Sequence, residues 1–150
     1  MAYRHTQFGY LAPIVLFGFA VLMVVIGTLA DDSAATLITI GLVFLLVGAL
    51  IVNFNRLTAV VDAGTVSACF GWGWPRRSVA AADIEAVRHV RNRWYHGWGI
   101  RKVARGWLYN VWGLDAIELE LRNGRVFRIG TDEPDELASA VNREIRSRGH

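Results

Sequence analysis

The sequence predicts a membrane α-helical hairpin, two transmembrane helices, followed by a small α+β domain. Three observations carry this reading. Residues 8–54 contain no Lys or Arg, and their only acids are the adjacent Asp31 and Asp32. Charges of both signs return from Arg56 onward. In that charged half, short alternating segments separated by turn residues lead into one amphipathic segment near the C-terminal end.

Taken in order, residues 1–7 read as a cytoplasmic tail carrying Arg4. Phe8–Ala30 is almost purely apolar and, at about 1.5 Å per residue, spans a hydrocarbon core of about 30 Å with some tilt. Ala34–Phe54 is a second such stretch. Only Asp31-Asp32-Ser33 separates them, which makes the helices antiparallel neighbours, with Asp or Ser capping the second. A cleaved signal peptide fits the first span poorly: the apolar run is long, Thr28-Leu29-Ala30 is a weak cleavage site, and a second span follows at once. The connector holds acids and no bases, whereas Arg4 precedes the spans and Arg56, Arg76 and Arg77 follow them. The positive-inside rule then puts both termini of this inner-membrane-type protein in the cytoplasm and the connector outside.

Ala20 and Gly27 in the first span, and Ala34, Gly41 and Gly48 in the second, recur at sevens. Such spacing keeps small residues on one face, where backbones can approach. They read as helix-packing positions, between the two spans or against a partner's helix. No ionisable residue lies within either span, which argues against a transport path.

Residues 57–150 are enough for one small cytoplasmic domain. Leu57–Ala63 and Thr65–Phe70 read as strands joined by a turn at Asp62-Ala63-Gly64. Arg77–Ala80 and Ile84–Val90 follow as candidates. In Ala116–Leu121, Ile117, Leu119 and Leu121 alternate with Glu118 and Glu120, and Arg125–Ile129 is the expected partner strand. A two-residue Asn123-Gly124 loop would set Leu119 opposite Arg128. A three-residue loop sets Leu119 on the Phe127/Ile129 face and the glutamates with Arg128, so it is predicted, with Gly124 at positive φ. Thr131 or Asp132 should cap a final helix in which Pro134 occupies the first turn. Leu137, Val141 and Ile145 form its apolar stripe. Antiparallel strands closed by one C-terminal helix is the layout of a pleckstrin-homology-like (PH-like) domain.

The motifs YHGWGIR (Tyr95–Arg101), RGWLYNVWG (Arg105–Gly113) and DAIELELRNGRVFRIGTDEPDEL (Asp115–Leu137), placed after two spans, carry a resemblance. The chain is similar to an uncharacterised bacterial family of two-span membrane proteins with a PH-like domain. The resemblance covers most of residues 55–140. It implies the fold, and it brings no activity and no lipid ligand with it.

All six tryptophans fall between Trp72 and Trp112. From Ala86 to Leu114 there is no acid, while Arg88, Arg91, Arg93, Arg101, Lys102 and Arg105 supply six positive charges. With interleaved glycines, this segment reads as an extended loop region. Trp and Tyr favour the headgroup zone, and Arg pairs bidentately with phosphate. Arg91, Arg93, Trp94, Tyr95, Trp98, Arg101, Lys102 and Arg105 are therefore the candidate membrane-interface or partner contacts. Trp107 and Trp112 are expected in the core.

No catalytic, cofactor-binding or metal-binding residues are expected. The serines have no nucleophile motif, GWGW and GWG lack phosphate-loop spacing, and the lone Cys69 reads as a small strand residue. His5, His89, His96 and His150 form no ligand spacing. Nucleic acid is disfavoured as a partner because no recognition helix is available. Two functions remain. One is a non-enzymatic accessory or scaffold subunit of a larger membrane complex, for which a respiratory or photosynthetic assembly would fit. The other is a stand-alone module binding anionic lipid headgroups through the basic, Trp-rich segment.

Overall fold

The computed structural model describes residues 3–30 and 33–148. Met1, Ala2, the connector residues Asp31 and Asp32, and Gly149 and His150 lie outside the described residues. Among the described residues are nine strands, three α-helices and two short 3₁₀ turns.

From Tyr3 onward, the segment expected as a tail is paired into a sheet. Tyr3–Phe8 is a strand, β1, and α1 (Leu11–Leu29) starts three residues later than the apolar run suggested. α2 (Ala34–Asn53) returns antiparallel, and Ser33 Oγ accepts the Thr36 N–H at 3.2 Å as its cap. Both helices are long and apolar enough to cross a membrane. They touch each other through stacked Phe19 and Phe44, whose centroids lie 5.8 Å apart. Their outer faces are bare: Phe17, Leu29, Leu45 and Leu46 are among many exposed apolar side chains.

α2 runs into β2 (Arg56–Asp62), which pairs antiparallel with β1 from Tyr3↔Val61 to Phe8↔Arg56. The helical hairpin is thus an insertion between two neighbouring strands of one sheet. β3 (Thr65–Phe70) and β4 (Arg76–Ala80) complete this first sheet in the order β1-β2-β3-β4. β1 is tied down by side chains as well. Its Tyr3 packs on the core and donates to Glu133 Oε2 at 3.4 Å, and His5 contacts Asp132 (2.7 Å) and Glu133 (3.2 Å). Burial first, and the Glu133 carboxylate second, push the Tyr3 phenol above its ordinary range.

The second sheet contains β5 (Ile84–Arg91), β6 (Gly99–Val103), β7 (Gly106–Asn110), β8 (Asp115–Leu121) and β9 (Val126–Gly130), in the order β5-β8-β9-β7-β6. The sheet is not wholly antiparallel, as the sequence suggested: β7 and β9 run parallel. The reason is topological. The chain leaves β7, skips one strand position to lay down β8, and the β8–β9 hairpin then returns β9 into the gap. That hairpin has the three-residue loop the pleat demanded, with Leu119↔Phe127, Glu118↔Arg128 and Gly124 at φ 77°.

The segment read as a loop is also different. Residues 86–114 contain most of β5, a 3₁₀ turn at Trp94–His96, and the β6–β7 hairpin. Sequence patterning missed this hairpin because five-residue strands rich in Gly, Arg and Trp show little alternation.

The core lies between the two sheets and under the C-terminal helix α3 (Pro134–Arg148). Thr131 Oγ1 accepts the Glu133 N–H at 3.0 Å just ahead of α3. Leu137 and Val141 are fully buried and Ile145 packs partly against the same core. Each such fully buried side chain contributes about 1.5–3 kcal/mol.

Because β1 precedes the hairpin, the domain is residues 3–9 together with 55–148. Gly9 N–H donates to the Asn55 carbonyl at 2.6 Å, so these two residues already face each other. Replacing residues 10–54 by a two-residue Asn-Gly turn should give a soluble domain that unfolds cooperatively. Residues 57–150 alone should melt markedly lower or fail to fold. Thermal circular dichroism on both chains checks this, and equal melting would show that β1 is dispensable.

Candidate functional site

Only Gly9-Tyr10 joins β1 to α1, and only Phe54-Asn55 joins α2 to β2. The domain therefore sits directly on the base of the hairpin, and aromatic side chains fill the junction. The Tyr10 ring meets Trp112 edge-on at 5.6 Å, and Trp112 stacks on Trp98 at 5.8 Å and 13°. Trp98 and Val111 line a recess of about 250 Å³ with Ala12 and Val15 of α1, Ile51 of α2 and Phe54 just after it. Phe54 begins a second series that runs inward: Phe54–Phe70 (4.9 Å), Phe70–Tyr109 (5.3 Å) and Tyr109–Phe127 (5.3 Å). Pairs of this kind add about 0.5–1.5 kcal/mol each beyond area burial.

On the other side of the base, the β3–β4 turn is clamped to the end of α2. Buried Asn53 accepts the Trp72 N–H at Oδ1 (3.0 Å) and donates from Nδ2 to the Trp74 carbonyl (2.8 Å). Trp72 and Trp74 themselves are 68% and 72% exposed. A turn pinned to the last residue of a membrane-length helix, with two bare indoles on it, presents those indoles at the helix end.

The predicted site residues divide into two groups. Trp94 and Tyr95 lie on the 3₁₀ turn that leads directly to Trp98. Arg93 donates to Tyr95 Oη at 2.8 Å and lies over its ring at 5.8 Å. Arg101 Nε donates to the Trp98 carbonyl at 3.2 Å. Arg91 ends β5, which is the opposite edge strand of the second sheet from β6, and sits across from Asp115 of β8. Arg93, Trp94, Tyr95, Trp98 and Arg101 gather near the hairpin base, and Arg91 is not part of that group. Lys102 and Arg105 lie toward the opposite end of the β6–β7 hairpin, beside Trp107, and are not part of that group.

The positive charge of the segment is only partly free. β8 supplies Glu120, which contacts Arg88 (3.2 Å) and Arg105 (3.7 Å). Among the described residues, no acid pairs with Arg91, Arg93, Arg101 or Lys102. Trp107 is a correction: it is 41% exposed rather than core, and only Trp112 packs partly on the core. Sequence reasoning also passed over Tyr10 and Asn53. The signal for them was position, since both sit at the ends of the long apolar helices.

Along the hairpin, the small residues fall into two settings. A Cβ at Gly48 would lie 3.7 Å from Leu16 Cδ2, so Gly48 faces α1. Gly27 and Gly41 have nothing within 4 Å of such a Cβ. With Ala20, Met23, Ile40 and Phe44 they line an apolar groove of about 450 Å³. Ala34 is exposed at the start of α2.

No protein-family model matches this chain, and no curated protein matches its sequence.

The Asn53 clamp can be tested directly. Asn53→Ala removes both partners of the turn and should destabilise the protein by about 1–3 kcal/mol. It should also release Trp72 and Trp74, seen as greater solvent quenching of tryptophan fluorescence. An unchanged melting temperature and unchanged quenching would mean that the turn holds itself.

Proposed function

We propose that this protein is a non-enzymatic membrane-surface module of a bacterial inner membrane, with a PH-like domain held on the cytoplasmic face by the helical hairpin. The observation that carries this reading is the aromatic girdle at the hairpin base: Tyr10, Trp72, Trp74, Trp98 and Trp112 surround the ends of two helices of membrane length. Tyr and Trp at that level pair an apolar ring with a polar group that remains in the headgroups. Arg93 and Arg101, beside Trp98 and unpaired with acids among the described residues, favour anionic headgroups at about 1 kcal/mol each, reduced by screening. The positive-inside bias of Arg4, Arg56, Arg76 and Arg77 supports the cytoplasmic orientation.

A second reading is an accessory or scaffold subunit of a larger membrane complex. One observation favours it: the open groove around Gly27 and Gly41 would accept a partner helix closely. Mild-detergent extraction of the tagged chain from native membranes separates the two. Partners at fixed stoichiometry support the subunit, and isolation alone supports the stand-alone module.

The surface seating has its own test. Single-tryptophan variants, with the other five changed to Phe, are reconstituted in nanodiscs containing lipids brominated near the headgroup. Trp74-only and Trp98-only proteins should be strongly quenched. Trp107 lies four residues along the chain from Val111 at the hairpin base, about 13 Å by strand rise, and should be quenched much less. Equal, weak quenching at all three positions would remove the proposed seating.

A further inference from the structure

At the far end of the β6–β7 hairpin lies a cleft of about 330 Å³ lined by Arg77, Lys102, Arg105, Trp107 and Arg125. We propose that this cleft binds a phosphate-bearing anion, independently of the surface seating argued above.

The cleft is built from both sheets. Arg77 comes from β4, Lys102 from β6, Arg105 from the β6–β7 turn, and Arg125 from the β8–β9 turn. Backbone contacts, not flexible side chains, bring the two turns together. The Arg105 carbonyl accepts the Val126 N–H at 3.1 Å. Gly106 lies so close to β9 that a Cβ there would overlap the Val126 carbonyl. Val103, Leu108 and Val126 form a small buried cluster of their own that stiffens this corner. Arg77 is fixed as well, since its guanidinium lies 5.2 Å over the fully buried Phe127 ring. Lys102 and Trp107 are cross-strand partners, which puts ammonium and indole on one face.

The charge count decides the ligand class. Four cations converge, and the acid within reach is Glu120, 3.7 Å from Arg105 and shared with Arg88. Arg77, Lys102 and Arg125 have no acid partner among the described residues. Holding like charges together on a fixed backbone is unfavourable unless an anion joins them. Guanidinium groups match the oxygens of phosphate bidentately, and lysine adds a point charge. The volume is at the lower end of the range for small-ligand sites. Arg77 is three residues from Trp74, about 10 Å by strand rise. If the lipid is the source, the seating proposed above would bring the cleft to the outer margin of a headgroup layer roughly 5–8 Å thick; the four cations do not need that seating to bind a phosphate compound from solution. A lipid phosphate projecting from the bilayer and a phosphate compound in solution share this chemistry.

The experiment uses the full chain in phosphatidylcholine nanodiscs. One arm titrates inorganic pyrophosphate calorimetrically. The other adds a minor fraction of phosphatidic acid to the nanodiscs and counts lipids retained by native mass spectrometry. Arg77→Gln and Arg125→Gln should each weaken binding roughly tenfold. Arg146→Gln, on exposed α3 surface, should leave it unchanged. Pyrophosphate binding that is lost in the cleft variants supports a soluble phosphate compound. Retention of phosphatidic acid, lost in the same variants, supports a lipid headgroup. Binding in neither arm overturns the proposal. So does binding that Arg146→Gln weakens as much as the cleft variants, because that describes diffuse charge and not a site.

Discussion

The structure depends on one pairing, that of β1 with β2 across an inserted helical hairpin. Strands that pair antiparallel are usually joined by a few residues. Here the joint is 47 residues, 9–55, and most of it is two membrane-length helices. Because β1 and β2 are hydrogen-bonded neighbours up to Phe8 and Arg56, the two helices must leave the sheet side by side. Only two residues join each of these strands to its helix, so the domain sits directly at the helix ends. Whatever lies at the hairpin base is fixed relative to the helices. That is why Tyr10, Asn53 and Phe54, three residues at helix ends, organise so much: one reaches Trp112, one clamps the Trp72–Trp74 turn, and one starts the aromatic series into the core.

Phe54, Phe70, Tyr109 and Phe127 connect the helix end to the cleft through three ring contacts. The series ends where Arg77 covers Phe127. Trp107 shares a register row with Phe127 and Leu119, so its ring points to the same side as the core. It stays exposed because the opposing β4 offers Arg77 there and not an apolar side chain. The cleft is thus the open margin between the two sheets, with a guanidinium where a closed core would have carbon.

The two long apolar helices were legible in the sequence because an uninterrupted apolar run needs no partner to be recognised. The β8–β9 register was legible because its parity is local: one slip would expose Leu119 and bury Arg128. The Leu137–Val141–Ile145 stripe was legible for the same reason. β1 was not, since Tyr-Arg-His-Thr-Gln-Phe gains its strand identity only from a partner some fifty residues away. The parallel β7–β9 pair depends on β9 entering a gap left by two other strands, which no local pattern encodes. Of the candidate site, the concentration of Trp and Arg was visible. Its division into a group at the hairpin base and a separate cleft was not, because Arg77 and Arg125 come from elsewhere in the chain.

That division matters because both surfaces are built on the same two sheets. An indole at Trp98 and a guanidinium at Arg77 are held in fixed relation by the same β-sheets that hold the helices. If the girdle sets the height of the domain at a membrane surface, it also sets the height of the cleft. Electrostatic attraction alone would not do so, since exposed charges beyond about 8–10 Å are screened at physiological salt. The aromatic contacts are short-ranged and directional, and they survive screening. The arrangement assigns placement to the rings and charge recognition to the arginines. A change at the girdle should therefore alter where the cleft is presented without altering its charge, and a change in the cleft should alter its charge without moving the domain.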